Sequence, residues 1–316
     1  MKIVIVGAGG IGLLIGSYLS RGGHEVIFVE PNQEVTEAIN LNGIGFMGAA
    51  AESQQDLGFS PAKALQDAAL IDTCDAVFLA VKSFDTTSAI QAAAHLITKE
   101  SPVISLQTGL GNIEKMEKVE RRNNIVGGFT YMAGAGIGPG RVRLGGSGKT
   151  YFGELDGRRS ARCEKISALF GQCGLEAEVV ADIITRLWTK VLVYSAINPL
   201  SAILRVKNGH LLEKMESVSL GKRLIDEGKA VAQAYGVCLE DFDLYELFFD
   251  TCKRTSENIS SMLLDLIIGR RTEVDALNGE IFRLGREKGA PAGTHLTMLE
   301  LVRLREKWGP GFQKQV

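Results

Sequence analysis

The sequence has few cysteines and histidines and no excess of basic residues. Its 316 residues include five cysteines, none in C-x-x-C spacing, and four scattered histidines. The thiols are therefore expected to be reduced and buried, and no metal site is predicted. Lys plus Arg number 35 against 37 Asp plus Glu, which gives a net charge of −2. Because no basic excess favours phosphate backbones, no nucleic-acid partner is expected.

The sequence also lacks a clear segment for export or membrane anchoring. The uncharged run from Ile3 to Ser20 follows Lys2 and looks like a signal peptide, but five glycines interrupt it. A membrane-spanning helix needs roughly 20 mainly apolar residues, and no A-x-A cleavage pattern follows the run. We therefore expect a cytoplasmic protein with no membrane partner.

A chain of this length exceeds the usual size of one hydrophobic core, and its patterning changes near residue 182. Residues 1–181 alternate β-branched apolar runs with helical patterns, which predicts a Rossmann-type α/β domain built on a parallel sheet. Glycine-broken strands in residues 125–155 are expected to extend that sheet as antiparallel strands. Residues 182–316 carry apolar positions at three- and four-residue spacing, which predicts an all-α domain. The clearest predicted strands are Lys2–Val6, Glu25–Glu30, Ala76–Val81 and Pro102–Gln107.

The opening segment KIVIVGAGGIG places three glycines in G-x-G-x-x-G spacing, between a predicted strand and a predicted helix. In dinucleotide-binding folds the first glycine allows a tight turn, the second a close approach to pyrophosphate, and the third close helix–strand packing. The N-terminus of the helix favours the anion. The segment predicts a nicotinamide dinucleotide, NAD(P)H, as cofactor. The residues expected to contact it are Gly7, Ala8, Gly9, Gly10, Ile11 and Gly12.

The end of the second predicted strand bears on the choice between NADH and NADPH. Glu30 lies 18 residues after Gly12, near the spacing of a carboxylate that accepts hydrogen bonds from the adenosine ribose. A carboxylate there repels a 2′-phosphate, and Pro31 supplies no positive charge, so NADH is favoured. The alternative is that Glu30 faces solvent and a more distant cation holds NADPH. Lys82, after the third of these strands, is either a cofactor contact or a surface lysine.

Two polar constellations stand out in the predicted helical domain. Lys190, Tyr194 and Asn198 are spaced four residues apart and share one face of an otherwise apolar helix. A buried lysine can have a lowered pKa and act as a proton donor, although a lysine that reaches solvent fits the spacing equally. Asn258, Ser261 and Asp265 are expected on one face of a later helix, and Glu273 follows at the start of the next. Helix capping is the alternative role for Glu273.

Taken together, these blocks resemble the ketopantoate reductase (2-dehydropantoate 2-reductase) family over the whole chain. The resemblance implies an N-terminal Rossmann domain and a C-terminal helical domain like that of 6-phosphogluconate dehydrogenase. It also implies reduction of 2-dehydropantoate to (R)-pantoate for pantothenate and coenzyme A biosynthesis, usually with NADPH. The segments that carry it are KIVIVGAGGIG, AVKSFDT, QTGLGN, WTKVLVYSAINPLSAI, KNGHLL, SENISSMLLD and RRTEVDALNG.

The resemblance assigns roles to individual residues. Lys190 becomes the catalytic general acid, and Glu273 a carboxylate with a catalytic role near cofactor and substrate. Further cofactor contacts are implied at Lys82, Thr108 and Gly134. The implied substrate contacts, besides Lys190, are Tyr194, Asn198, Asn208, Asn258 and Ser261.

The sequence departs from the family pattern at three of these places. Thr108 stands where the family usually has asparagine, Tyr194 where many members have asparagine, and Pro31 where NADPH-using relatives carry arginine. Thr108 and Tyr194 favour a second interpretation, a broader D-2-hydroxy-acid dehydrogenase that acts on other bulky 2-keto acids. A third interpretation is an NAD(P)-sensing protein without catalysis. The apolar helical domain also offers surface for a homodimer.

Overall fold

The computed structural model describes residues 1–48 and 56–309, and the chain forms two compact units. Unit 1 comprises Met1–Gln107 and Asn112–Ile183, and unit 2 comprises Thr108–Gly111 and the chain from Ile184 onward. The division of the sequence at residues 181 and 182 stays a prediction. The short loop Thr108–Gly111, which the sequence analysis assigned to the first domain, belongs to unit 2.

Unit 1 is built on an eight-stranded sheet with the order β12-β11-β8-β7-β6-β1-β2-β5. Its neighbours pair in parallel except β8 and β11, which are antiparallel. A second sheet of four strands has the order β4-β3-β10-β9. The strands are β1 Lys2–Val6, β2 Glu25–Val29, β3 Ile44–Met47, β4 Asp56–Ser60, β5 Lys63–Leu65, β6 Ala76–Leu79, β7 Val103–Ser105, β8 Ile125–Thr130, β9 Ala133–Gly138, β10 Arg141–Gly146, β11 Thr150–Glu154 and β12 Ala177–Val179.

The predicted parallel sheet is confirmed, but part of the prediction for residues 125–155 is wrong. Only β8 and β11 extend the main sheet, whereas β9 and β10 join β3 and β4 in the second sheet. The sequence AGAGIG of β9 explains the difference, because a strand of small residues has little apolar surface to bury in the main sheet. Strands β3, β4 and β5 were not predicted from the sequence.

The helices of unit 1 cover the main sheet and bury aromatic side chains against it. Phe28, Phe78, Phe152 and Phe170 are almost fully buried, and the ring of Phe170 lies 5.7 Å from that of Phe78 and 4.9 Å from that of Phe152. Burying each such side chain stabilises the fold by roughly 1.5–3 kcal/mol. The helices are α1 Gly10–Arg21, α2 Gln33–Asn42, α3 Thr86–Ala93, α4 Asn112–Glu117 and α5 Ala161–Gln172.

Unit 2 is helical, as predicted. Its longest helix is apolar enough to span a membrane by length and composition, but 83% of its most apolar 18-residue window is buried within the protein. That burial accounts for its apolar character, because the helix forms the centre of the unit 2 core. A π-helical turn spans Asp275–Gly279. The helices are α6 Ile183–Leu204, α7 Met215–Ala234, α8 Leu244–Arg254, α9 Ser261–Ile267, α10 Glu280–Lys288 and α11 Gly293–Trp308.

Two predictions about side-chain placement need correction. Asn258 does not share a helical face with Ser261, because α9 begins only at Ser261 and the Ser260 side chain caps it. The cysteines are free, as expected, but Cys238 is exposed; burial is complete only for Cys163 and Cys252. The observed helix begins later than predicted, because the capping side chain of Ser260 determines its start more strongly than the apolar spacing does.

The N-terminus of α1 packs backbone to backbone against β9, and this contact generates a stability prediction. A Cβ added at Gly134 would lie 2.4 Å from the carbonyl oxygen of Gly10, whereas one at Gly136 meets nothing within 4 Å. We therefore expect Gly134→Ala to lower the free energy of unfolding by about 1–3 kcal/mol. Gly136→Ala, the matched control in the same strand, should change it by less than about 0.5 kcal/mol. Urea titration of both variants checks this, and equal effects would contradict it.

Candidate active site

The turn after β1 has the steric requirements predicted for a dinucleotide-binding loop. Gly7 has φ +101°, and a Cβ there would lie 2.8 Å from Cγ1 of Val81. A Cβ at Gly12 would lie 2.1 Å from the carbonyl oxygen of Gly7, so only glycine lets α1 approach the strand this closely. A Cβ at Gly9 would meet nothing within 4 Å. The loop is therefore closed towards the sheet at Gly7 and Gly12 and open at Gly9.

The start of α1 fits an anionic group. Gly9 is the N-cap residue and provides no side-chain hydrogen bond, and the first turn of α1 contains no acidic residue. The N–H groups of a first helical turn point along the axis with the positive end of the helix dipole, so they suit a pyrophosphate. Gly10 and Ile11, at this turn, are partly accessible, whereas Ala8 is buried. Residues 7–12 are thus able to hold a dinucleotide.

Glu30 lies beside this turn. Its carboxylate accepts a hydrogen bond of 2.9 Å from the Ala8 N–H and one of 3.1 Å from the Asn32 N–H. Glu30 is partly exposed, and Pro31 is exposed. The carboxylate is therefore fixed at the end of β2, next to the glycine turn, rather than directed away from it into solvent.

Two further predicted cofactor contacts lie in unit 1. Lys82 follows Val81, the residue that packs against Gly7, and is half-buried three residues after the end of β6. Gly134 packs its backbone against Gly10, so β9 borders the start of α1. All the predicted cofactor residues of unit 1 thus gather at or near the carboxyl ends of β1, β2 and β6, the edge where open α/β sheets bind ligands.

Lys190, on α6 in unit 2, is buried, with 5% of its surface exposed. Its Nζ donates a hydrogen bond of 3.2 Å to Oγ1 of Thr108 and lies 5.5 Å from the ring centroid of Tyr194. Burial lowers the pKa of Lys190 to about 8, and the negative charge of Glu273 acts in the opposite direction. The interpretation of a lysine that reaches solvent is therefore wrong. A side chain with this pKa exchanges a proton readily near neutral pH.

The loop that carries Thr108 is held by the π-helical turn. The Leu110 N–H donates to the Ala276 carbonyl at 2.8 Å. Gly109 has φ +111°, and a Cβ there would lie 2.7 Å from that of Ala276. Sequence reasoning assigned Thr108 to the cofactor and missed its hydrogen bond to Lys190, because the two residues are 82 positions apart. The glycines on either side of Leu110 were the only local signal of a tight loop.

The remaining predicted substrate residues are distributed over three elements of unit 2. Asn198, buried, lies one turn after Tyr194 on α6, and Ser261 is exposed at the start of α9. Asn208 donates its N–H to the Asn258 carbonyl at 2.9 Å, so the structure brings these two residues together. The side-chain oxygen of Asn208 is buried and accepts no hydrogen bond from any residue the structure describes. A buried acceptor of this kind is suited to a ligand that donates a hydrogen bond.

A serine pair that the sequence analysis missed links the two helices that carry these residues. Ser201 on α6 donates from Oγ to Oγ of Ser260 at 2.7 Å, and Ser260 in turn caps α9. The signal was present in the double serine before MLLD, but only Ser261 was singled out. Within residues 1–48 and 56–309, no group of three or more His, Cys, Asp or Glu side chains is arranged to hold a metal ion.

The buried ammonium generates a prediction about stability and pH. The pKa of Lys190 is about 8 in the folded chain against 10.5 for an ordinary lysine. Between these values the unfolded chain binds more protons, so the free energy of unfolding rises with pH across this window. The difference between the two pKa values corresponds to about 3 kcal/mol. Below pH 8 the buried ammonium lowers the free energy of unfolding by this full amount. We expect Lys190→Met to stabilise the protein at pH 7, with a gain that shrinks towards pH 10.5.

Urea unfolding at several pH values between 7 and 10.5 measures this difference. Lys229→Met, at an exposed lysine of α7, is the matched control and should show no such trend. A constant difference between wild type and Lys190→Met across the window would mean that the ammonium is not destabilised by burial.

Comparison with known proteins places the chain in one family. The family model "Ketopantoate reductase PanE/ApbA" matches residues 3–157, and its C-terminal counterpart matches residues 182–306. The chain is 35% identical to a 2-dehydropantoate 2-reductase of Archaeoglobus fulgidus, over 96% of this chain and 97% of the relative. It is 33% identical to one of Pyrococcus horikoshii, over 98% and 99%.

Solved structures agree with this assignment. A PanE/ApbA family ketopantoate reductase from Ralstonia eutropha is 30% identical, with a TM-score of 0.86 over 98% of this chain and 99% of that one. D-mandelate dehydrogenase with NADH and anilino(oxo)acetate is 27% identical, with a TM-score of 0.89 over the same shares. The predicted family is confirmed: the chain belongs to the ketopantoate reductase family.

Proposed function

We propose that the protein reduces the ketone of 2-dehydropantoate to (R)-pantoate with a reduced nicotinamide cofactor. The observation that carries the proposal is the buried Lys190, whose pKa of about 8 and hydrogen bond to Thr108 suit it to donate a proton at neutral pH. The relatives that are named 2-dehydropantoate 2-reductases support this substrate, because they match almost the whole chain.

Residues of unit 1 bind the cofactor in this proposal. The N–H groups at the start of α1 hold the pyrophosphate, and Glu30 accepts hydrogen bonds from the adenosine ribose. Lys82 and Gly134 border the same site. When bound, the reduced nicotinamide supplies the hydride that the ketone carbon accepts. The chain's own contribution is to bind, to orient and to supply the proton.

Lys190 performs the proton step. As negative charge develops on the ketone oxygen, an N–H bond of the ammonium breaks and an O–H bond forms, which leaves a neutral amine that solvent reprotonates. The charge of Glu273 keeps the ammonium protonated in spite of burial. The Thr108 hydroxyl accepts one of the three ammonium hydrogens and so fixes where the others point. Glu273 and Thr108 thus set the charge and the direction of the proton donor.

The substrate contacts follow from the polar groups that unit 2 offers. Asn198, Asn258 and Ser261 supply donors and acceptors for a carboxylate and a hydroxyl. The buried side-chain oxygen of Asn208 is an acceptor for a substrate hydroxyl. Tyr194 limits the width of the site beside Lys190. Holding the substrate at several points fixes the face of the ketone that is reduced.

A second candidate function is supported by Thr108 and Tyr194. The D-mandelate dehydrogenase that resembles the chain was solved with NADH and anilino(oxo)acetate, a keto acid derivative with an aromatic ring. A tyrosine ring beside the general acid suits a bulky apolar 2-keto acid as well as 2-dehydropantoate. A nicotinamide sensor without catalysis has less support, since a sensor needs no buried proton donor. We also infer a cytoplasmic protein, with a homodimer as the expected assembly.

The activity assay with a Lys190 variant tests the proposal. We expect wild-type protein to reduce 2-dehydropantoate, and Lys190→Ala to lower kcat by about 10²–10⁴, the usual loss of a general acid. Cofactor affinity should stay unchanged, as should the activity of Lys229→Ala. Turnover of phenylglyoxylate, the 2-keto acid that corresponds to mandelate, but not of 2-dehydropantoate would favour the second candidate. Near-normal kcat of Lys190→Ala would remove the lysine from the mechanism.

The position of Glu30 generates a prediction about cofactor choice. A charge-assisted hydrogen bond is worth roughly 1.5–3 kcal/mol, or about ten- to a hundredfold in affinity. We propose that NADH binds more tightly than NADPH by about this factor. Glu30→Gln should narrow the ratio, because the amide keeps the shape of the side chain without the charge that repels a 2′-phosphate. Glu25→Gln, at the other end of β2, is the control. Titration of cofactor fluorescence measures both affinities, and tighter NADPH binding by wild type would contradict the proposal.

A further inference from the structure

A proline interrupts the hydrogen bonding of α6 within the segment that carries the proposed catalytic residues. In an α-helix each carbonyl accepts the N–H four residues later, but proline has no N–H. Pro199 lies inside α6, immediately after Asn198. The Ser195 carbonyl therefore lacks a helical donor, and Ser195 is fully buried. A buried carbonyl without a partner is costly, so the protein must supply a donor from elsewhere.

Asn278 supplies that donor. Its Nδ2 lies 2.9 Å from the Ser195 carbonyl oxygen, and the residue has no exposed surface. The same amide donates to Nδ1 of His295 at 3.1 Å, and Nε2 of His295 lies 2.9 Å from the Leu224 carbonyl. Because a carbonyl only accepts, Nε2 carries the hydrogen and Nδ1 is the acceptor. The side chain of Asn278 is thus held in one orientation by two acceptors.

Asn278 also belongs to an element that touches the other members of the proposed site. It lies in the π-helical turn Asp275–Gly279, which begins two residues after Glu273. The Glu273 carbonyl accepts the N–H groups of Ala276 and Leu277, and the Ala276 carbonyl accepts the Leu110 N–H of the Thr108 loop. The π-helical turn therefore hydrogen-bonds to Glu273, whose negative charge acts on Lys190, to the loop that carries Thr108, and to α6, which carries Lys190. π-Helical turns are frequent at functional sites.

We propose that Asn278 is a positioning residue for the reaction: its amide holds α6 at the carbonyl that Pro199 leaves without a helical donor, and so fixes Lys190 against Glu273 and Thr108. The inference rests on the proposed role of Lys190 as general acid. It also gives a structural role to the proline inside α6: Pro199 leaves the Ser195 carbonyl free to accept a hydrogen bond from the Asn278 side chain of the π-helical turn.

Three variants test the pairing of Asn278 with Pro199. Asn278→Ala removes the donor. Pro199→Ala restores an N–H to residue 199, and with it a helical donor for the Ser195 carbonyl. The double variant has the restored donor but no amide. Leu244→Ala, at a buried position of α8, serves as the control for a loss of packing away from the π-helical turn. Asn278→Thr, whose side chain is shorter than the amide, replaces Asn278→Ala if the latter does not fold.

We expect Asn278→Ala to lower kcat by about ten- to a hundredfold, since a misplacement of about 1 Å remote from the chemistry can have that effect. Affinity for NADH should not change, because the glycine turn and Glu30, which hold the pyrophosphate and the ribose in the proposal, lie in unit 1. Pro199→Ala should recover at least a tenfold part of the loss when combined with Asn278→Ala. If Leu244→Ala lowers kcat as much as Asn278→Ala, or if Pro199→Ala recovers nothing, the proposal is wrong.

A second measurement separates this inference from the proposed function. The Nζ resonance of Lys190, titrated by NMR in the wild type and the same variants, reports the surroundings of the amine without turnover. Loosening α6 should admit water and move the pKa of Lys190 from about 8 towards 10.5, and Pro199→Ala should reverse the change. If the wild type reduces neither 2-dehydropantoate nor phenylglyoxylate, the proposed function is wrong. The titration of Lys190 is then the measurement that tests the role of Asn278. An unchanged pKa in Asn278→Ala then overturns the role of Asn278.

Discussion

Burial of the Lys190 ammonium in an apolar helix is the constraint on which the arrangement of unit 2 depends. A charge removed from water needs partners, and most residues around Lys190 on α6 are apolar, with the ring of Tyr194 as the partner that α6 itself provides. Further partners come from elsewhere in unit 2: the Thr108 hydroxyl from a four-residue loop, and the charge of Glu273, which lies two residues before the π-helical turn. The loop, the turn and the helix therefore have to be held in fixed register. Their backbone and side-chain hydrogen bonds do this.

Unit 1 solves a different problem, which is to bring backbone close to an anion. It does so with glycines, which have no side chain to keep the backbone at a distance. Gly7 and Gly12 allow the sheet and α1 to meet, Gly10 and Gly134 allow the second sheet to reach the same place, and Gly9 leaves an opening. Glu30 is a charged group fixed at this turn, because it is held by the backbone of the turn itself. The two units thus use opposite means, absence of side chains in one and a buried charge in the other.

Much of this could be predicted from the sequence because it is encoded locally. The glycine spacing, the β-branched runs and the four-residue spacing of Lys190, Tyr194 and Asn198 are all short-range patterns, and the fold class and the family followed from them. What could not be predicted depends on contacts between distant segments. The hydrogen bond from Lys190 to Thr108, the second sheet of β3, β4, β9 and β10, and the bond from Asn278 to Ser195 leave no local signature. The π-helical turn was read as ordinary helix, since its apolar spacing is the same over so few residues.

The assignment of Thr108–Gly111 to unit 2 has a consequence for the modularity of the chain. Unit 2 takes four residues from the middle of the sequence, while the residues on both sides of them belong to unit 1. A gene fragment that encodes only the segment from Ile184 onward therefore lacks the partner hydroxyl of the buried lysine and the loop that packs against Ala276. Exchange of C-terminal halves between homologues would combine a lysine from one parent with a loop from the other. The two have to be inherited together, although 82 positions of sequence separate them.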